Sequence, residues 1–194
     1  MTMRSLVVTA IFLASYTGAA ASDYEETRDL AVDAAGVETL TINVGAGRLD
    51  VAGVDGLDTI EVKAVIVIPD TDEEKARKMI AKDLVLTLEG GNGEAVLKSE
   101  FDQGFWDFGS NGRVDLEVRA PSTLAVSIDD GSGSMDIAHF SADVKIDDGS
   151  GSIDVQDVGA LTIDDGSGSI EVNGASGDVY VNDGSGSITI DSVD

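Results

Sequence analysis

The feature that most constrains the fold of this chain is a tetrad, Gly-Ser-Gly-Ser, which occurs four times in the C-terminal part. The tetrads begin at residues 131, 149, 166 and 184, so their spacings are 18, 17 and 18 residues. On both sides of each tetrad, apolar residues that are mostly β-branched alternate with polar ones. Because a period of two places side chains on one face of a strand, each repeat predicts two short strands joined by a glycine-rich turn.

One repeat of this length buries too little apolar surface to offset its own ordering entropy, so each copy needs a neighbour stacked on it. Strands stacked about 4.8 Å apart align like residues into ladders. The sequence therefore predicts an all-β protein, a β-solenoid or β-helix-like stack of 17–18-residue rungs. A flexible Gly-Ser linker is the alternative interpretation, but linkers do not carry alternating aliphatic residues at fixed spacing.

The N-terminal half is less regular. Residues 40–51 have the pattern of a degenerate rung around a Gly-x-Gly turn, and residues 60–67 predict a longer strand. Residues 84–89 and 94–101 flank Gly-Gly-Asn-Gly, which is typical of a β-hairpin. We expect residues 22–121 to form an irregular β part that is continuous with regular repeats at residues 122–194.

One short helix is predicted at about residues 70–84. Thr71 and Glu74 have the spacing of a capping box, and acidic residues precede basic ones along the segment. Its apolar residues lie on one stripe of the helix: Ala76, Met79, Ile80 and Leu84.

Residues 1–21 have the layout of a secretory signal peptide. One cation, Arg4, precedes an apolar stretch, and three alanines end the segment at Ala21. The apolar stretch is shorter than the roughly 20 residues that span a bilayer, so we expect cleavage near Ala21. The sequence thus predicts an extracytoplasmic protein, periplasmic or secreted to the cell surface, with no integral membrane span after signal removal.

Composition argues against several classes of function. Twelve Lys and Arg residues against 37 Asp and Glu residues give a net charge of -25, which repels the phosphates of nucleic acids. The absence of cysteine rules out disulfides and thiolate nucleophiles. The one histidine, His139, is predicted to lie in a loop between rungs, with no nucleophile pattern nearby. We expect no nucleic-acid partner and no enzymatic activity.

The strongest candidate site is the acidic corner before each tetrad. Aligned by repeat, one column is Asp129, Asp147, Asp164 and Asn182, and the other is Asp130, Asp148, Asp165 and Asp183. Carboxylate and carbonyl oxygens are ligands of Ca²⁺, so a row of weak calcium sites is one hypothesis. The other is that each Asp accepts hydrogen bonds from its own turn. The EF-hand and calcium-roll motifs fit the sequence badly, and no cofactor is expected beyond such weak Ca²⁺ binding.

An aromatic cluster is the second candidate site. Its members are Phe101, Phe105, Trp106 and Phe108. An exposed cluster of this kind stacks on sugar rings or docks a protein partner. The alternative is a hydrophobic cap over one end of the stack, which a solenoid needs in order to stay soluble.

Residues 114–121, Val-Asp-Leu-Glu-Val-Arg-Ala-Pro, are followed by successive Asp-Gly-Ser-Gly-Ser rungs. In this combination the chain resembles the DUF4097 putative-adhesin β-strand repeat proteins of bacteria over residues 37–194. The resemblance implies a β-strand repeat fold and an adhesin-like role, and the family defines no catalytic residues. This chain departs from the commoner pattern in its doubled Asp before each tetrad and in its acidity.

The function predicted from the sequence is that of an exported, non-enzymatic β-solenoid with a binding or structural role at the bacterial cell envelope. Its partner would be an envelope component, either a glycan or a protein. A calcium-stabilised acidic repeat module is the alternative. A self-assembling envelope scaffold is the second alternative, because the sequence places no obvious cap after the last rung.

Overall fold

The computed structural model describes residues 23–101 and 112–193. These residues form thirteen strands and one helix. The elements are, in chain order, β1 (Tyr24–Asp33), β2 (Thr39–Val54), β3 (Thr59–Ile68), α1 (Glu73–Asp83), β4 (Leu84–Gly91), β5 (Glu94–Phe101), β6 (Arg113–Pro121), β7 (Ala125–Phe140), β8 (Val144–Asp148), β9 (Gly151–Val158), β10 (Leu161–Asp165), β11 (Gly168–Ala175), β12 (Val179–Asp183) and β13 (Gly186–Val193). The predicted signal peptide lies outside the described residues. The fold is all-β with one helix in the described part, as the sequence predicts.

The repeats pair in two parallel ladders. Strands β8, β10 and β12 form one ladder, and strands β9, β11 and β13 form the other. Each residue faces its counterpart in the next repeat, so that Ile146 pairs with Ile163 and Ile153 pairs with Ile170. The four tetrads therefore lie on top of one another.

Strands β2 and β7 are long enough to run through both ladders. Their first halves pair with each other in the ladder of β8, and their second halves pair with each other in the ladder of β9. Strand β2 thus supplies the degenerate rung predicted from residues 40–51. We number the rungs from it: β2, β7, β8 with β9, β10 with β11, and β12 with β13.

The core lies along the inward-facing residues of the two ladders. Strands β8 and β10 alternate buried and exposed residues along their whole length. Their buried aliphatic side chains belong to one contiguous cluster with those of β9 and β11, including Ile146, Ile163, Val155 and Val172. Burial of each such side chain contributes about 1.5–3 kcal/mol, so the aliphatic columns are the main stabilising force of the stack.

The N-terminal elements extend both ladders. Strand β6 adds to the second half of β2, and β3 and β1 follow it in antiparallel pairing. Strand β5 adds to the first half of β2, and β4 pairs with β5 as the predicted hairpin.

Helix α1 packs beside this N-terminal end, with Ala76 and Ile80 buried. It begins one residue later than a Thr71 cap would place it, because Asp72 is the N-cap and accepts a hydrogen bond from the Lys75 N–H at 3.0 Å. A carboxylate also favours the positive end of the helix dipole, which explains this choice of cap. In the described residues, no helix has the length and apolarity to cross a membrane.

Candidate functional site

The two residues before each tetrad, which are Asp-Asp in the first three repeats and Asn182-Asp183 in the last, point to opposite sides of the ladder. Asp129, Asp147 and Asp164 are exposed. The second aspartate of each pair points inward, and the exposed fractions are 4% for Asp130, 4% for Asp148 and 3% for Asp165. We call these three residues together with Asp183 the inner acidic column. Its position in the preceding rung is taken by Val44, which pairs with Asp130.

Each inner aspartate caps its own turn. Its Oδ1 atom accepts a hydrogen bond from the backbone N–H of the serine two residues later, at 3.3 Å from Ser132, 3.3 Å from Ser150, 3.1 Å from Ser167 and 2.9 Å from Ser185. This is the turn-capping role that the sequence offers as the alternative to calcium binding. It occupies only one carboxylate oxygen, and the buried Oδ2 atoms of Asp130 and Asp165 have no hydrogen-bond partner within the described residues.

Burial changes the acidity of the inner column. Desolvation, followed by repulsion from Asp148, raises the pKa of Asp130 from 3.8 to about 7. Desolvation and repulsion from Asp165 raise the pKa of Asp148 to about 6. The pKa of Asp165 is also raised, mainly by desolvation. Asp130 and Asp148 therefore take up protons near neutral pH instead of staying fully ionised.

A cavity of about 10 Å³ lies beside Asp130 and is also lined by Ser99 of β5. Ser99 Oγ is buried and, like Asp130 Oδ2, lacks a protein partner among the described residues. A volume of this size holds about one water molecule. One water molecule between Ser99 Oγ and Asp130 Oδ2 would give each of them a hydrogen-bond partner. The cavity therefore suits a bridging water as well as an ion.

Calcium binding by the acidic corner stays a prediction. Within residues 23–101 and 112–193, no group of three or more His, Cys, Asp or Glu side chains is arranged to hold a metal ion. The inner carboxylates bond to their own turns, and the outer ones stand in a separate exposed row. The observed contacts favour turn capping.

The aromatic cluster is only partly described. Phe101 ends β5, pairs with Leu84 of β4, and packs half-buried against the core. This position is typical of a core-covering residue. Phe105, Trp106 and Phe108 lie outside the described residues.

A groove that the sequence interpretation missed runs along the opposite corner, where each rung ends. It has a volume of about 800 Å³ and takes residues from all five rungs. We call it the terminal groove. Its lining residues are Gly53, Val54, Asp55, Ser122, His139, Phe140, Ser141, Asp157, Val158, Gly174, Ala175, Ser176 and Ser192.

A column of left-handed residues shapes the terminal groove. His139, Asp157, Gly174 and Ser192 have φ values of 66°, 50°, 93° and 59°. At each of these positions both paired strands skip one residue pair without a change of register, so that Ala138 pairs with Gln156 and Phe140 pairs with Val158. The sequence does carry a signal for this column, because its members fall at one position of the 17–18-residue repeat and include residue types that tolerate positive φ.

His139 lies within strand β7 at the terminal groove, and its predicted placement in a loop between rungs was wrong. Alternation does not reveal a left-handed residue inside a strand, and the pairing stays in register on both sides of His139. Its Nδ1 atom is 3.4 Å from Asp157 Oδ2 in the next rung. The nearby hydroxyls of Ser141 and Ser176 donate to the carbonyl oxygens of Ser122 and Val158.

The groove is acidic, and its lining combines hydroxyl and carboxylate groups with apolar side chains such as Val54. Ser122 Oγ donates to Asp55 Oδ1 at 2.5 Å, and Asp157 supplies the second carboxylate. No Lys or Arg occurs among the described lining residues. Such a surface can donate and accept hydrogen bonds along its length, and it repels anions.

Neither a protein-family profile nor a curated protein sequence matches the chain. Its structure is similar to that of a "putative cell adhesion protein" from Clostridium sporogenes, with 15% identity, a TM-score of 0.47, and coverage of 88% of this chain and 100% of the other. A "putative adhesin" from Parabacteroides distasonis has 11% identity, a TM-score of 0.27, and coverage of 86% and 95%. A "putative lipid binding protein" from the same species has 15% identity, a TM-score of 0.31, and coverage of 80% and 73%.

Proposed function

We propose that this chain is an exported, non-enzymatic β-solenoid of the DUF4097 type that binds an extended component of the bacterial cell envelope in its terminal groove. The observation that carries the proposal is the continuity of the groove across five rungs. Because successive rungs are about 4.8 Å apart, the groove offers similar backbone groups at regular intervals, which suits a linear polymer. The signal-peptide pattern of residues 1–21 supports export.

The charge of the groove selects the class of polymer. Asp55 and Asp157 are the carboxylate residues that line it, and the whole chain has a net charge of -25. An anionic polymer would be repelled, whereas a neutral or amine-bearing glycan gains hydrogen bonds from the carboxylates. We therefore propose a neutral or cationic glycan as the ligand.

The lack of enzymatic activity is part of the proposal. Nucleophilic catalysis by serine needs a base within hydrogen-bond reach of the hydroxyl. Ser141 and Ser176 instead donate to backbone carbonyls, and the His139 ring faces Asp157. These contacts support binding without cleavage.

Binding to oligomers of glucosamine, glucose and glucuronate by isothermal calorimetry tests this function. We expect affinity to fall in that order, with no measurable binding of the glucuronate oligomer. Asp157→Asn keeps the side-chain shape and removes the charge, so it should weaken glucosamine-oligomer binding about tenfold, the value of a hydrogen bond to a charged group. Asp154→Asn, on the outer face of the same rung, is the matched control and should bind like the wild type. Equal binding of all three oligomers, or of none, contradicts the proposal.

A calcium-stabilised repeat module is the second candidate function. The unpartnered Oδ2 atoms of Asp130 and Asp165 are the observation that favours it. For a dissociation constant near 1 mM, 10 mM Ca²⁺ stabilises the folded state by about 1.4 kcal/mol, which raises the melting temperature by roughly 3–6 °C. Thermal unfolding at pH 8 with Ca²⁺, and with Mg²⁺ at the same ionic strength, measures this. The same melting temperature in both salts rejects the candidate.

A further inference from the structure

The cavity beside Asp130 lies at a gap in the pairing of β2. On the side away from β7, β2 pairs with β5 up to Val44 and with β6 from Leu49 onward. Residues 45–48 therefore have no ladder partner on that side among the described strands, and all four line the cavity. The cavity thus lies where the N-terminal strands meet the repeat stack.

Ser99 and Asp130 reach this cavity from opposite sides of β2. Ser99 of β5 and Asp130 of β7 both pair with Val44, so their backbones are two strand spacings apart, or about 10 Å. Both side chains are buried, and Ser99 Oγ and Asp130 Oδ2 have no hydrogen-bond partner within the described residues. One water molecule in the cavity between them would therefore connect β5 to β7.

The protonation state of Asp130 decides how well one water serves it. A neutral Asp130 donates its carboxyl O–H to the water, the water donates to Ser99 Oγ, and Asp130 Oδ1 still accepts from the Ser132 N–H. An ionised Asp130 needs more solvation than one water gives, because Val114 and Leu116 are among the other cavity walls. Ionisation therefore favours any opening that admits further water.

The surrounding charges do not offset this ionisation. Within the described residues, no Lys or Arg side chain bonds to the Asp130 carboxylate. Strand β8 places the buried Asp148 next to it, which adds repulsion to the cost of desolvation. Arg48 of β2 lines the cavity, but its guanidinium group bonds to two outer carboxylates, those of Asp50 and Asp136, at 2.9 Å and 2.8 Å. The other charged residues next to the cavity lie on the outer faces of their strands: Lys98, Glu100, Arg113, Asp115 and Asp129.

The end of β5 is the cavity wall that opens most easily. Ser99 is the last residue of β5 that pairs with β2, and β5 ends two residues later at Phe101. Strand β7 is instead held along both edges, by β2 on one side and by β8 and β9 on the other. Strand ends open at a lower free energy than strand interiors, so water reaches an ionised Asp130 most readily when the end of β5 separates.

We propose that Asp130, a bridging water and Ser99 form a proton-dependent lock between the repeat stack and the N-terminal strands. The lock is closed when Asp130 is neutral, and ionisation of Asp130 releases the end of β5. It lies at the tetrad corner, so it is independent of any ligand in the terminal groove.

Amide hydrogen exchange between about pH 5 and pH 8 tests the lock, with each rate divided by the intrinsic rate of that amide at the same pH. Strand β3 pairs along both edges, with β1 and β6, so its amides report global unfolding. We expect the protection of residues 97–101 to fall at least about tenfold more than that of β3 across this range. The midpoint should lie near the Asp130 pKa of about 7.

Two variants of the same turn identify the titrating group. Asp130→Asn keeps the shape of the side chain and cannot ionise, so the protection of β5 relative to β3 should no longer depend on pH. Asp129→Asn is the matched control, because it removes a charge from the outer face of the same turn, and it should respond like the wild type.

Ser99→Ala tests the water bridge separately. If the hydroxyl holds the water, its removal lowers the protection of β5 severalfold at about pH 5, whereas removal of an unpartnered buried hydroxyl raises it. Three results overturn the proposal: protection of β5 that follows β3 at every pH, a pH response that persists in Asp130→Asn or disappears in Asp129→Asn, and greater protection in Ser99→Ala.

Discussion

Replacing Gly151 with alanine is expected to lower the free energy of unfolding by about 3 kcal/mol or more. A Cβ atom at this position would overlap the carbonyl oxygen of Gly133 in the rung before. The obstacle is backbone held by the ladders on both sides, so it cannot move aside as a flexible side chain does. Urea unfolding followed by circular dichroism measures the loss, which corresponds to roughly 6–12 °C in melting temperature.

Gly91→Ala is the matched control for this change. Gly91 also lies in a strand, but a Cβ there meets nothing within 4 Å. Its effect on the free energy of unfolding should stay within about 0.5 kcal/mol. If Gly151→Ala were as stable as Gly91→Ala, the close approach of the tetrads would be wrong.

Asp130→Asn is expected to stabilise the protein by about 2–4 kcal/mol at pH 8. At that pH the wild-type folded state holds a buried, ionised carboxylate beside Asp148. The amide removes the charge and keeps an oxygen to accept the hydrogen bond from the Ser132 N–H. At pH 4 the advantage should vanish, because folded Asp130 is then protonated and neutral.

The wild-type protein should accordingly become less stable as the pH rises from about 4 to 7. The pKa of Asp130 is about 7 in the folded state against an ordinary value of 3.8, so in this window the folded state binds more protons than the unfolded state. The stabilising contribution is fully present below pH 3.8 and is lost as the pH passes 7. Asp148, with a pKa of about 6, acts in the same direction.

Urea unfolding at a series of pH values is measured for the wild type and for both Asn variants at this turn. It distinguishes the effect of the inner acidic column on stability from the effect of the net charge of the chain. Asp129→Asn removes one charge from the exposed neighbour in the same turn, and it should change the stability by no more than about 0.5 kcal/mol at either pH. Asp130→Asn should flatten the pH dependence. A pH profile that is equally steep in all three proteins would assign the effect to net charge alone.

Much of the repeat could be predicted from the sequence because its structure depends on patterns within short stretches of the chain. Alternation fixed which residues face inward, and the spacing of the tetrads fixed which residues align. The burial of Asp130 was available from the same rule, because it shares its parity with Val126 and Ile128. The sequence interpretation treated the two acidic columns alike and so missed that only one is exposed.

The N-terminal pairing could not be predicted in this way. Alternation shows that residues 60–67 form a strand, but β3 lies between β1 and β6 in antiparallel pairing because of contacts between segments that are distant in sequence. The terminal groove depends on left-handed residues inside the strands, and alternation of side chains does not show the backbone conformation. Its residues come together only once the rungs are stacked.

Strands β2 and β7 cross from one ladder to the other without a break. They therefore set the register of both ladders. Every later rung copies their register, so duplicating one 17-residue unit, such as residues 144–160, would lengthen both the hydrophobic interior and the terminal groove by one step of about 4.8 Å. Under the proposed function, the length of polymer that the groove could accommodate would then increase with each duplication of this unit.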